Sequence, residues 1–100
     1  MGLGPQPGGN ATVLNITAPA VLKASPGTLV RIVVSAIGSA GALTLNDAAT
    51  TGAAAQANAI VSIPSGSLTA GQVIPLEWPC AAGIVVSAVP TGGVFAAAFS

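Results

Sequence analysis

A chain of 100 residues holds one domain with one core and leaves no length for an interdomain cleft. It is 52% hydrophobic and 4% charged, against about 25% charged in ordinary soluble domains, and its four charges, Lys23, Arg31, Asp47 and Glu77, cancel. Two basic residues cannot neutralise the several phosphates that a nucleic-acid partner presents, and Pro64, Pro75, Pro90 and many glycines interrupt the uncharged runs that a membrane span would need.

So little charge predicts that much of the surface is covered by other subunits, since large exposed apolar patches mark contacts. The alternative is a monomer with an uncharged Ser/Thr/Asn/Gly surface. Along the chain, MGLGPQPGGN comes first, with four glycines and two prolines in ten residues. It cannot build regular structure of its own and reads as an extended N-terminal arm over residues 1–10. It has neither the basic region nor the apolar run of a signal peptide, and Gln6 stands where a myristoylation signal needs Ser or Thr. The arm is expected to lie on a partner subunit or across its own domain, which makes Gly2, Leu3, Pro5 and Pro7 candidate interface residues.

Residues 11–100 read as short strands and turns. TVLNIT (12–17) alternates, Pro19 ends it, and AVLKAS follows before the Ser25-Pro26-Gly27 turn. TLVRIVVSAI (28–37) is the strongest strand. Val30, Ile32, Val34 and Ala36 form a wholly apolar face that belongs in the core. Leu29, Arg31, Val33, Ser35 and Ile37 form a second face that is apolar enough to be partly covered as well. GSAG (38–41) predicts a turn and ALTLN (42–46) a strand. The stretch at 48–59 is rich in alanine but lacks large apolar residues, so it predicts a loop with a single helical turn rather than a packed helix. Strands follow at NAIVSI (58–63), QVIPLEW (72–78), GIVVSAV (83–89) and GVFAAAFS (93–100), and the last two read as a hairpin closed by PTGG. Turn signals every 8 to 15 residues predict an all-β fold: a small antiparallel β-sandwich or barrel, jelly-roll-like, of seven or eight strands.

The chain carries little chemistry. It has no His and no Tyr, so Lys23, Arg31, Asp47, Glu77 and Cys80 are the whole titratable set of side chains. Cys80 has no His to activate it, and two carboxylates thirty residues apart do not suggest the 6 to 8 oxygens of a calcium site. Neither an enzyme nor a cofactor is expected. A single cysteine excludes an internal disulfide and predicts a buried thiol. Glu77-Trp78-Pro79-Cys80 gathers the unusual residues; it reads as a Trp anchor over one end of the core, or as a binding spot at Trp78. With Phe95 and Phe99 the only other aromatics, a sugar-stacking platform is not indicated. Arg31, buried mid-strand, would need a carboxylate, either Asp47 or Glu77 or one on a neighbouring subunit. Asn10-Ala11-Thr12 and Asn15-Ile16-Thr17 match the glycosylation sequon at a frequency that chance supplies.

ITAPAVLKASPGTLVRIVV, LTLNDAATTGAAAQANAIVSIP and GIVVSAVPTGGVFAAAFS together resemble small virion proteins of tailed bacteriophages. The resemblance rests on Asn46-Asp47 after a strand, Ile60 and Ile63 after a spacer, the Gly71/Val73/Leu76 pattern, and the closing Gly-Ile-Val-Val and apolar strands, over residues 16–100. It implies a β-sandwich subunit of the virion: a head decoration, or cement, protein, often trimeric, that binds over the joints between major capsid protein subunits. A neck, tail or fibre-base subunit, or a surface binding module, are the alternatives. Arg31, Val33 and Trp78 join the arm residues as the expected interface.

Overall fold

A computed structural model describes residues 11–100. They form eight strands: β1 (Ala11–Ile16), β2 (Ala20–Lys23), β3 (Gly27–Ala40), β4 (Ala42–Asn46), β5 (Ala59–Pro64), β6 (Val73–Cys80), β7 (Ile84–Ala88) and β8 (Thr91–Phe99). The predicted arm lies outside the described residues. The strands make two antiparallel sheets, a front sheet in the order β1-β8-β3-β6 and a back sheet in the order β2-β7-β4-β5.

The pairing rule is simple. The first strand pairs with the last, the second with the seventh, the third with the sixth and the fourth with the fifth. The chain is thus one long hairpin rolled into two layers, which is a jelly roll. β8 also pairs with β3 and β7 with β4, which completes the two sheets. Only β4 and β5 follow each other within one sheet; every other connection crosses between layers.

That topology corrects the expected closing hairpin. β7 and β8 are both central strands, each flanked on both sides, so neither has an edge left for the other. The chain between them crosses the layers at the fully buried Pro90, whose carbonyl accepts the Gly93 N–H at 2.8 Å. The apolar C-terminal strand is covered because it lies in the middle of the front sheet. The terminal residue is held as well: Thr28 and Ser100 exchange backbone hydrogen bonds of 3.0 and 2.9 Å.

β3 runs further than predicted, to Ala40, so the turn narrows to Gly41. Gly38 sits at φ +77°, and a Cβ there would lie 2.6 Å from the Thr91 carbonyl oxygen, so the strand passes the β8 start only with glycine. The core face of β3 also differs at its start. The register shifts between Leu29 and Arg31 against both neighbouring strands. This bulge brings Leu29 into the core cluster beside Ile32 and Val34, while Val30 is buried too, as alternation predicts. Leu43, Leu45, Ile84, Val86, Phe95 and Phe99 fill the rest of the space between the layers. The 48–59 loop contains two single 3-10 turns, Thr51–Ala53 and Gln56–Asn58. Thr50 caps the first through its hydroxyl, which accepts the Ala53 N–H at 3.1 Å.

Candidate functional site

Two surfaces stand out, one on the outside of each sheet. On the front sheet, Ile32 and Val34 point inward, so Arg31, Val33 and Ser35 point outward. Val33 lies opposite Val73 of β6 and Ala96 of β8, and Arg31 lies opposite Pro75 and Ala98. Residues opposite one another share a face, so two adjacent rows cross the sheet with one charge between them. Leu14 on β1, 73% exposed, and Val73, 53% exposed, extend the apolar surface toward both edges. Ala98 at the row beside Arg31 is buried, and Val33 and Ala96 are half-buried, so the open part of the surface lies toward Leu14, Val73 and Pro75.

Arg31 therefore departs from expectation. Its side chain is exposed, and no ion pair joins it to Asp47 or Glu77 among the described residues. The covered strand that would have demanded a counter-charge is open on this side, and water solvates the guanidinium. Val33 is half-buried by its neighbours in the sheet. Trp78 does not seal the core end either: it is 50% exposed on the edge strand β6, while Leu29, Phe99 and Cys80 occupy the interior there. Glu77 just before it sits at φ 48°, a left-handed conformation unusual for a side chain of this kind, at the register shift between Leu29 and Arg31. The structure thus brings Arg31 and Val33 onto one face and places Trp78 on the same sheet. Gly2, Leu3, Pro5 and Pro7 lie outside the described residues.

Cys80 is a buried free thiol whose Sγ lies 3.7 Å from the Trp78 carbonyl oxygen. Burial pushes its pKa up, and the Asp47 charge adds to this. Asp47 itself is committed to backbone. Its carboxylate accepts from the N–H groups of Ala82 at 2.8 Å, Ala81 at 2.9 Å and Gly83 at 3.3 Å. The Ala82 and Ala81 amides hold its pKa below the ordinary carboxylate value, against a smaller desolvation effect. A Cβ on Gly83 would come 2.5 Å from the Ala48 carbonyl oxygen, so the three-amide clasp fits only around glycine. Among the described residues no three His, Cys, Asp or Glu side chains come together as a metal site.

On the back sheet, the β4–β5 connection folds over the outer face and walls an open depression of about 500 Å³. Asn46, only 2% exposed, ties wall to floor. Its amide nitrogen donates to Ala55 O at 2.9 Å and to Asn58 Oδ1 at 2.8 Å, and its oxygen accepts from the Ser87 hydroxyl at 2.6 Å. Thr44 and Ser62, opposite each other on β4 and β5, share a hydroxyl–hydroxyl bond of 3.0 Å. Sequence reading missed this surface. Its signal is the polar alternation Thr44/Asn46 in ALTLN, but which strands lie beside it depends on topology.

No family model, curated protein or solved structure matches the chain.

Proposed function

We propose that this protein is a structural component of a tailed-phage particle, a decoration protein that lies over the joints of the major capsid protein at the head surface. The observation that carries the reading is the outer face of the front sheet. It presents Leu14, Val33, Val73, Pro75 and Ala96 with Arg31 among them and exposed Glu77 further along β6, and an apolar patch of this kind marks a contact surface. The resemblance of residues 16–100 to small virion proteins supplies the kind of partner. A rigid two-layer subunit with this face down adds contacts across neighbouring capsid subunits, and the arm at residues 1–10 extends them. A stable contact buries about 800 Å² on each partner. The work of such a subunit is burial of surface, with oligomerisation of the chain adding to the number of contacts per assembly.

The experiment is co-sedimentation of the purified chain with phage heads that lack it. The wild-type chain binds saturably, and Val33→Asp or Val73→Asp weakens binding at least tenfold with the far-UV spectrum unchanged. Equal binding by folded variants excludes the front sheet as the contact. Binding only to neck or tail fractions supports the alternative virion position.

A further inference from the structure

We infer that the back-sheet depression is a binding site for a neutral, polyhydroxylated ligand, a saccharide ring or pair of rings. It lies on the opposite side of the sandwich from the face proposed to dock. If that face meets the shell, the depression points outward, away from it. The site itself does not depend on the docking reading, and its test uses the isolated chain.

Its chemistry selects the ligand class. The polar lining consists of Thr44, Asn46, Thr51, Gln56, Ser62 and Ser87, and the rest is alanine. None of these groups is ionisable. A charged ligand would leave water without a counter-charge, and an apolar one would strand the hydroxyls from their solvent partners. A sugar hydroxyl both donates and accepts; on the floor the hydroxyl oxygens of Thr44, Ser62 and Ser87 have lone pairs left to accept, and one O–H of the Thr44–Ser62 pair is left to donate. The volume of about 500 Å³ falls within the range that small-molecule sites occupy.

The site is also held in shape before any ligand arrives. Thr44, Asn46, Ser62 and Ser87 project from three adjacent strands of one sheet, β5, β4 and β7. The wall is fixed to that floor by the Asn46 amide and by Asn58, which accepts the Ala55 N–H at 2.9 Å and donates to Ala53 O at 3.0 Å. Ligand hydrogen bonds therefore form without ordering a loop first. No aromatic side chain lines the depression. Recognition by hydrogen bonds alone implies weak binding, with Kd on the order of 1–10 mM for a monosaccharide.

The test is two-dimensional NMR of the full chain titrated with glucose, galactose and N-acetylglucosamine, with glucose 6-phosphate as the charged control. At least one neutral sugar is expected to shift the amide signals of Thr44, Gln56, Ser62 and Ser87 saturably, and the phosphate to shift them at least fivefold more weakly. Ser62→Ala and Thr44→Val, substitutions at exposed and half-buried positions, should each weaken the response about threefold or more while leaving the remaining spectrum in place. No saturable shift at these residues with any of the three sugars overturns the assignment. So do shifts centred on Trp78, or an equal response to the charged control. Should a variant lose its dispersed spectrum, the wild-type shift map alone decides.

Discussion

Asp47, one of two carboxylates in the chain, is bound by three backbone N–H groups and by no cation among the described residues. Its folded pKa lies below its unfolded value of about 3.9. The contribution to stability is therefore complete at neutral pH and is lost as the pH falls through the folded value. Chemical denaturation of the wild-type chain should show this loss at acid pH. Asp47→Asn should cost about 1–2 kcal/mol at pH 7 and flatten the acid limb; an unchanged acid limb would remove Asp47 from that role. At Cys80, burial and a raised pKa predict slow alkylation in the native state, with full reaction only in denaturant. Rapid native labelling would show that the β6 end opens. Part of this was legible. A buried thiol follows from composition and a lone cysteine. The Asp47 clasp does not, because its partners are backbone groups 34 to 36 residues away that carry no sequence signature.

Elements were readable where alternation is strong, and pairing was not. ALTLN reads as a strand because its large residues recur at every second position, and GIVVSAV (83–89) as one for its run of β-branched residues. Alternation put Leu29 on the wrong face, and the PTGG turn signal suggested a hairpin that the β7–β8 junction does not make, each for a physical reason. A bulge changes which face a side chain takes, and a proline-glycine stretch serves a crossing between layers as well as it serves a hairpin. The 48–59 segment shows how one buried polar residue organises a loop. Asn46→Ala should leave the Ser87 hydroxyl and the Ala55 carbonyl without their partner, at a cost of about 1–3 kcal/mol. Limited proteolysis should then cut within residues 51–58 before the rest of the chain. Equal resistance in the two proteins would mean that the wall is held by something else. Deleting residues 1–9 spares every described strand, since β1 begins at Ala11. The shortened chain is expected to keep the wild-type melting temperature and to bind heads more weakly; unchanged binding would remove the arm from the contact.

For the molecule as a whole, the near absence of charge pointed to an assembled protein, and the all-β pattern to two layers. The structure adds which side is open. Val33 and Arg31 stood on the second face of the strongest strand, but only the pairing of β3 with β6 and β8 shows that Val73, Pro75 and Ala96 continue that surface. Adjacent strands contribute to one patch only through their register, which one strand's pattern cannot express. The fold thus has a front whose exposed side chains include Leu14, Val73 and Pro75, and an indented back lined by Thr44, Asn46, Ser62 and Ser87; the proposed attachment uses the first and leaves the second exposed. The most direct measurement tests the proposed decoration role: a reconstruction of phage particles assembled with this chain. The account predicts many copies over the joints of the head shell, with Val33 and Val73 against capsid subunits and Ser62 facing solvent. A few copies at the neck or tail, or a front sheet open to water on the assembled particle, would contradict it.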